Sequence, residues 1–359
     1  MCLFDGKEDC MLKADPELWA TPAEIDFRAD RRAMMYWLGG LGLIAGVSGP
    51  ASAILDHDAG RQRPLKSISG RIGDVEIVRV YETTTMLNIK SWFPGLDPAL
   101  LSPHMAWLAP RFLDPDTGAF ALPVASWVVR SNGRIILIDS AYGNDKERPG
   151  YPDADRLDTP YLERLKAVGV LPEDVDIVLC THLHIDHVGW NTRLQDGRWV
   201  PTFPNARYIW SRLDREDAAR QSTATTTPPF LRSVYGDSVE PILAAGLAQE
   251  IDGVFVVDGN ITARPAPGHS PGSMRIDLRS RGRRAVFTGD LLHSPIQIPL
   301  WRQASIVDAD PARAVRSRHE LLSFCADENA LLISAHFPDP YVGCIEREAD
   351  SFGIRFGWS

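Results

Sequence analysis

The chain has 359 residues, of which 44% are hydrophobic and 24% are charged, as is ordinary for a globular protein with a sizeable core. Its formal net charge is −9, so it lacks the overall positive charge that neutralises a nucleic-acid backbone, and we expect no nucleic-acid partner. The cysteines at positions 2, 10, 180, 325 and 344 are scattered and show neither zinc-knuckle nor CxxC spacing. The sequence therefore predicts no disulfide framework.

The N-terminal segment carries the pattern of an export signal. The adjacent Arg31 and Arg32 precede an apolar, glycine-rich stretch at residues 33–47, and the small residues 51–53 fit a signal-peptide cleavage site. The apolar stretch is short for a membrane span, so we expect membrane contact only during export. The paired arginines resemble a twin-arginine signal, although Asp30 stands where that signal usually has Ser or Thr.

These features divide the chain into three predicted segments. Residues 1–53 are expected to form a twin-arginine-like export signal with an N-terminal extension, residues 54–71 a linker, and residues 72–359 the folded domain. The corresponding location is periplasmic or secreted. A retained N-terminal anchor, or a buried apolar helix in a cytoplasmic protein, are the alternatives.

Strands and helices alternate along the predicted domain. Residues 75–81 alternate in polarity like a half-buried strand. Residues 124–129 and 135–138 flank Asn132-Gly133, a two-residue turn that predicts a β-hairpin because both turn positions must accept a positive φ. Residues 160–168 have the pattern of an amphipathic helix.

The second half of the domain continues this alternation. Further predicted elements are strands at 175–179, 207–210, 254–257, 273–278, 285–288 and 331–334, and a helix at 311–324 with Asp308 or Asp310 as its N-cap. Two long segments, 83–122 and 221–239, show no regular pattern. Loops of this length usually form lids or binding elements.

Histidine and aspartate residues follow several of these predicted strands. His182, His184, Asp186 and His187 come directly after the strand at 175–179. His182 and His184, two positions apart in an extended turn, are able to point the same way, which leaves Asp186 and His187 on the adjacent side for a second metal ion. Imidazole nitrogens and carboxylate oxygens are the ligands that zinc favours in catalytic sites.

Three more candidate ligands lie downstream. His269 sits in a tight glycine- and proline-rich loop, while Asp290 and His336 each follow an apolar strand. Strand ends at one rim of a sheet can bring such side chains into one cleft, where the carboxylate of Asp290 could bridge two ions. A pair of bridged ions can both activate water and polarise an electrophile.

Four motifs in order then resemble a known family. HxHxDH at 182–187, GHSPGS at 268–273, TGD at 288–290 and AHFP at 335–338 are similar to the motifs of the metallo-β-lactamase-fold hydrolase superfamily. The resemblance covers residues from about 72 to about 336. It implies an α/β fold, a four-layer αββα sandwich with the site at one edge.

The resemblance also implies a set of seven ligands for two divalent metal ions, with zinc as the favoured metal. The implied ligands are His182, His184 and His269 for the first ion, Asp186, His187 and His336 for the second, and Asp290 as the bridge. Residues 137–143, LIDSAYG, resemble the family's LIDTG turn, which makes Asp139 an outer partner that orients a ligand imidazole.

Residues 288–293 and the long segment before the first hairpin resemble the lactonase and methyl-parathion-hydrolase-like branch. This branch implies that a bridging hydroxide opens a lactone, or cleaves an ester with an apolar substituent, in a small-molecule substrate. Asp186 is expected to steer the hydroxide. His293 is a candidate for protonating the leaving alkoxide or contacting substrate, with a structural hydrogen-bonding role equally open.

Two other activities stay open on the same ligands. An aryl phosphotriesterase could use the same site by in-line attack. An iron-dependent persulfide dioxygenase-like oxidoreductase is the alternative of another class, but it normally leaves second-site ligands unused, and none of the seven is missing here. The oligomeric state, including a homodimer, is open.

The segment before the first hairpin is rich in large apolar residues, which favour an apolar-lined mouth beside the site. They are Met86, Trp92, Phe93, Met105, Trp107, Leu108 and Phe112. Packing in the core is the equally open alternative for each of them. Trp190, directly after the HxHxDH run, is expected either to wall the site or to pack beneath it. His57, His104 and His319 fit no ligand pattern.

Overall fold

The computed structural model of the protein describes residues 69–358. The predicted export signal and most of the predicted linker, together with Cys2, Cys10 and His57, lie outside the described residues, so those assignments stay predictions. The first described strand begins at Ser69, within the range expected to be linker. Within residues 69–358, no helix combines the length and the apolar character needed to cross a membrane.

The first of two large sheets has seven strands in the order β1-β2-β3-β4-β5-β8-β9. Its strands, numbered along the chain, are β1 (Ser69–Ile72), β2 (Val75–Asn88), β3 (Ala119–Ser131), β4 (Arg134–Ile138), β5 (Ile177–Leu179), β8 (Arg207–Ser211) and β9 (Ala248–Ile251). Pairing is antiparallel from β1 to β4 and parallel from β4 to β9. The predicted hairpin between β3 and β4 is confirmed, with φ of 50° at Asn132 and 76° at Gly133.

The second sheet also has seven strands, in the order β10-β11-β12-β13-β14-β15-β16. They are β10 (Phe255–Val256), β11 (Ile261–Pro265), β12 (Met274–Ser280), β13 (Arg283–Phe287), β14 (Leu331–Ile333), β15 (Val342–Glu348) and β16 (Ser351–Phe356). Only the β13–β14 pair is parallel. A separate hairpin is formed by β6 (Thr192–Gln195) and β7 (Arg198–Pro201).

Helices cover the outer faces of the sheets and fill the long connections. The α-helices are α1 (Ile89–Trp92), α2 (Pro98–Leu101), α3 (Met105–Leu108), α4 (Tyr161–Ala167), α5 (Ile185–Val188), α6 (Arg212–Thr223), α7 (Pro229–Val234), α8 (Glu240–Ala244) and α9 (Pro311–Asp327). A π-helix, Tyr235–Val239, joins α7 to α8. Asp310 is the N-cap of α9, since its side chain accepts a hydrogen bond from Arg313 N.

Successive side chains of the central strands enter two different cores, because they point to opposite faces of the sheet. In β4, Ile136 and Ile138 face a core between the two sheets, which they share with Phe287 of β13. Leu137 faces the opposite way, into a core with Tyr161 of α4. The strand is therefore apolar on both faces.

The outer face of the second sheet is covered in the same manner. Val286 and Leu332 pack against Leu321 and Cys325 of α9. The layers thus run helix, sheet, sheet, helix, and the predicted αββα sandwich is confirmed.

The two segments predicted to lack regular structure were interpreted wrongly. Strand β2 runs on to Asn88, and residues 221–239 contain the end of α6, α7 and the π-helix. A β-bulge between Tyr81 and Thr83 breaks the polarity alternation of β2, and helices of four to six residues are too short to show a helical period. The bulged residue, Glu82, is buried and accepts hydrogen bonds from Tyr142 N at 2.7 Å and Trp190 Nε1 at 2.5 Å.

The loop after β4 is bound to the loop after β5 by backbone hydrogen bonds. Ser140 N donates to His187 O, Gly189 N to Ala141 O and Trp190 N to Ser140 O, each at 2.7 Å. At Gly189 a Cβ would strike the carbonyl of Tyr142, so only glycine permits this approach. These hydrogen bonds, made where the two loops cross, hold the segment that carries the first four candidate ligands in place.

Candidate metal centre

The HxHxDH run lies between a buried strand and a single helical turn. Strand β5 ends at Leu179, and His184, the N-cap of α5, has extended backbone angles. The turn of α5 then places Asp186 and His187 on the other side of the run. One short segment therefore supplies ligands in two directions.

The other three candidate ligands come from the second sheet. His269 lies in the loop between β11 and β12, Asp290 in a tight turn after β13, and His336 just after β14. The turn holds Asp290 at φ −97° and ψ 25°, outside helical values. The structure brings all seven predicted ligands together at one edge of the sandwich.

Four of these residues form what we term the first ligand group: His182, His184, His269 and Asp290. Their potential ligand atoms all lie within 4.8 Å of one another. His269 Nε2 is 2.8 Å from His184 Nδ1 and 3.2 Å from His182 Nε2. Asp290 Oδ2 lies 3.3 Å from His269 Nε2.

The second ligand group consists of Asp186, His187, Asp290 and His336. Asp290 Oδ1 lies 2.9 Å from His336 Nε2 and 3.2 Å from His187 Nε2. Asp186 Oδ2 is 3.5 Å from both of these nitrogens. Asp290 therefore belongs to both groups and presents a different oxygen to each.

Unpartnered buried atoms test whether these groups suit a cation. His187 Nε2, His336 Nε2 and Asp290 Oδ1 are buried and have no hydrogen-bond partner within residues 69–358. Orphaned buried polar atoms are rare in proteins, and three that point at one another call for a bound species. A divalent cation would satisfy all three, and the mixture of imidazole nitrogen and carboxylate oxygen suits zinc.

Outer partners orient the ligand imidazoles. His187 Nδ1 is 2.9 Å from Asp139 Oδ2, and His336 Nδ1 donates to Pro123 O at 3.0 Å. Thr181 donates to Asp139 from its backbone N at 2.7 Å. The structure thus places Asp139 where the LIDS segment predicts, against a ligand rather than within either group.

Burial and charge set the protonation of the imidazoles in opposite ways. Burial lowers the pKa of His184 to about 3 and that of His182 well below its ordinary value, so these rings are neutral with a lone pair available. Burial also lowers the pKa of His187, but Asp290, Asp186 and Asp139 outweigh it and raise that pKa well above the ordinary value. A cation bound by the second ligand group must therefore displace a proton.

His293, the candidate catalytic histidine, lies against this centre without belonging to either group. Its Nε2 is 3.3 Å from Asp290 Oδ2, and neither ring nitrogen has a hydrogen-bond partner in the described part of the chain. The ring packs edge-on to Trp92 with centroids 5.6 Å apart and parallel to His336 at 5.9 Å. Its backbone N–H donates to Gln297 Oε1 at 2.8 Å.

The apolar segment before β3 packs largely on itself. Phe93, Leu108 and Phe112 are buried in a cluster with Phe120 and Ile296. At the margin of that cluster lie the partly buried Trp92, Met105 and Trp107, and Met86 is 50% exposed. Most of the residues expected to line an apolar mouth are therefore buried against one another. Trp92 reaches the centre through its contact with His293.

The remaining aromatic and histidine candidates lie away from the ligand groups. Trp190 stacks on Tyr161 with centroids 5.2 Å apart and packs beneath the site rather than walling it. His319 packs between Trp301 and Phe352, and His104 contacts Trp107.

A carboxylate that sequence reasoning missed ties the two loops of the first ligand group. Asp214, in α6, accepts hydrogen bonds from Leu183 N at 3.3 Å, Gly272 N at 2.6 Å and Ser270 Oγ at 2.9 Å. Leu183 separates His182 from His184, and Ser270 follows His269. The motifs give no signal for Asp214, because its contacts depend on the burial of Ser270, which only the structure shows.

The chain belongs to the metallo-beta-lactamase superfamily, whose family model matches residues 119–336. The N-acyl homoserine lactonase AttM of Rhizobium radiobacter is 25% identical over 194 residues, which cover 53% of this chain and 68% of that protein. The acyl-coenzyme A thioesterase MBLAC2 of Gallus gallus is 27% identical over 207 residues, covering 56% of this chain and 68% of that protein. The family match and the hydrolases among these relatives identify the chain as a metal-dependent hydrolase.

Solved structures show the same fold over most of the chain. AidC, a dizinc quorum-quenching lactonase in complex with a product, superposes with a TM-score of 0.67 at 20% identity, covering 82% of this chain and 98% of that one. The hydrolase AbOPH superposes with a TM-score of 0.65 at 24% identity and the same coverage.

The Asp214 carboxylate predicts a pH effect on stability. Burial raises its pKa to about 6 from 3.8, so the folded state holds this proton more tightly and loses stability as pH rises between these values. Replacing Asp214 by Asn removes that dependence. The unfolding free energy of the wild type minus that of Asp214→Asn should fall by about 2 kcal/mol from pH 4 to pH 6. Denaturant titrations of both proteins measure it, and a constant difference contradicts the assignment.

Proposed function

We propose that the chain is a dinuclear-metal hydrolase that opens lactones or cleaves esters carrying an apolar substituent in a small molecule. The observation that carries this proposal is the position of Asp290, whose two oxygens face two separate ligand groups at 2.9–3.6 Å. One carboxylate shared between two complete sets of donors suits a pair of cations better than a single one.

Each ligand group supplies donors for one divalent ion, and zinc is the metal that their nitrogens and oxygens suit best. Such ions, when bound, lower the pKa of water to about 7 and polarise a carbonyl or phosphoryl oxygen. The unpartnered nitrogens of His187 and His336 fit this role because nothing within the described residues satisfies them.

The chain's own residues supply orientation and proton transfer. Asp186 has the most exposed carboxylate of the centre, 13% against 5% for Asp290, so it can accept a hydrogen bond from a nucleophilic water at the open side. His293 is buried beside Asp290, its ring nitrogens have no hydrogen-bond partner among the described residues, and it is placed to give a proton to a leaving oxygen. Burial lowers the pKa of His293, so its ring is neutral at neutral pH and must take up a proton before it can pass one on.

Lactones are favoured over other esters because relatives of this chain are named as N-acyl homoserine lactonases. An aryl phosphotriester is the second candidate substrate for the same groups. The iron-dependent oxidoreductase alternative is disfavoured because both ligand groups are complete. A panel of an N-acyl homoserine lactone, an aryl ester, a paraoxon-like triester and nitrocefin tests the assignment. Lactone hydrolysis should be fastest, and activity on nitrocefin alone contradicts it.

Loss of the shared carboxylate should remove activity and weaken metal binding. In Asp290→Asn we expect the rate of lactone hydrolysis to fall by at least about 100-fold. Losing a residue that only hydrogen-bonds a metal ligand already costs up to about 100-fold, and Asp290 is a predicted ligand itself. Asp277→Asn is the matched control, because this carboxylate pairs with Arg264 of β11 and Arg275 of β12. Rates and metal per chain are measured together. Full activity with undiminished metal in Asp290→Asn contradicts the bridging role.

The role of His293 is tested by the leaving group. A lactone expels an alkoxide that needs a proton, whereas a 4-nitrophenyl ester expels a stable phenolate. In His293→Asn we expect kcat to fall by about 100-fold on the lactone and by less than about 10-fold on the nitrophenyl ester. His319→Asn, outside the centre, should change neither rate. Equal losses on both substrates assign His293 a structural role.

A further inference from the structure

A buried ion pair lies behind the first ligand group, and the proposed function assigns it no role. Arg318 of α9 and Asp308, in the segment before that helix, are almost completely buried, and Arg318 Nη2 lies 3.7 Å from Asp308 Oδ2. Burying two charges is costly, and hydrogen bonds to their other polar atoms offset part of that cost. Within the described residues, Arg318 Nη2 has no hydrogen bond besides this ion pair. The partners of the two side chains show what the pair holds.

The Asp308 side chain contacts the His269 ring, and the backbone that follows Asp308 bonds to the loop of His269. Asp308 Oδ1 lies 3.2 Å from His269 Nδ1, and Oδ2 accepts a hydrogen bond from Ser305 N at 2.8 Å. The next backbone amides continue the contact, since Ala309 N donates to His269 O at 3.0 Å and Asp310 N to Gly268 O at 2.8 Å. With its Nδ1 proton donated to Asp308, His269 keeps Nε2 free to bind a cation.

Arg318 reaches the loop of the shared carboxylate as well. Its Nε donates to Leu291 O at 2.7 Å, one residue after Asp290. Its Nη1 donates to Trp301 O at 3.0 Å and Gln303 O at 2.8 Å. One guanidinium thus contacts the backbone beside Asp290 on one side and, through Asp308, His269 on the other.

We propose that Arg318 and Asp308 are positioning residues for the first ligand group. Together they set the distance between His269 and Asp290, which come from different loops, and hold the His269 ring with Nε2 toward the other donors. This inference rests on the proposed function, because it concerns how well the first ligand group holds its cation. Asp139 plays the corresponding part for His187 in the second ligand group.

The experiment measures metal retention by the full-length chain loaded with zinc. Zinc per chain is followed during titration with a chelator for the wild type, Asp308→Asn and Arg318→Lys. We expect one of the two ions to be released at about 10–100-fold lower chelator concentration in each variant, the usual cost of losing an outer partner. Arg316→Lys, an exposed arginine on the same helix, is the matched control and should follow the wild type.

A double-mutant cycle separates positioning from general support of the fold. If Asp308 acts through His269, then Asp308→Asn should weaken metal retention in the wild type but add nothing in a His269→Ala background. Asp139→Asn should still weaken the remaining ion in that background. The unfolding temperature of the metal-free proteins reports any loss of fold, and Arg318→Lys serves where Asp308→Asn does not fold.

Two failures are distinguishable. A wild-type chain that retains no divalent ion contradicts the proposed function and this inference together. A wild type with two ions, whose retention is unchanged in Asp308→Asn and Arg318→Lys, overturns only the positioning role. Equal weakening by Asp308→Asn with and without His269 also overturns it, because the effect then does not pass through that ring.

Discussion

The carboxylate of Asp290 is the constraint on which the rest of the site depends. It is buried, and four ring nitrogens lie within 3.3 Å of its two oxygens, on His187, His269, His293 and His336. Burial raises the pKa of Asp290, but the surrounding histidines outweigh it and hold that pKa well below the ordinary value. A permanently ionised carboxylate at the junction of two imidazole groups needs positive charge on both sides. Protons on the rings can supply it, and so can two cations.

The fold provides this junction by bringing loops of both sheets to one edge. The loops after β4 and β5 of the first sheet carry Asp139 and the HxHxDH run, whereas the second sheet contributes His269, Asp290 and His336. Three sets of fixings, which are hydrogen bonds between segments, then align the loops. They are the backbone hydrogen bonds around Gly189, those to the Asp214 carboxylate and those from the buried Arg318. Each fixing joins two loops that are distant in sequence, so the centre depends on the packing of the whole sandwich.

Much of this could be predicted because the ligands lie in short motifs directly after apolar strands. The runs at 182–187 and 288–290 show both the residue types and the strand ends that deliver them, and the LIDS segment indicated Asp139. The fixings could not be predicted in the same way. Asp308 was considered as a helix cap, yet that position belongs to Asp310, and the contact of Asp308 with His269 joins residues 39 apart.

Asp214 was missed for a related physical reason. It lies in a mostly polar helix, where a carboxylate ordinarily faces water, and its burial is decided by a loop 58 residues later. The short helices between β2 and β3 were missed because one turn leaves no periodic signal. Candidate metal ligands can thus be predicted from local sequence patterns. The residues that position them become evident only from tertiary contacts.

The most direct test of the dinuclear centre is anomalous X-ray diffraction from zinc-loaded crystals, recorded at the zinc absorption edge. We expect two zinc peaks per chain, one beside His182, His184 and His269 and the other beside Asp186, His187 and His336, with Asp290 contacting both. A single peak, with the other ligand group empty at saturating zinc, would contradict the dinuclear centre.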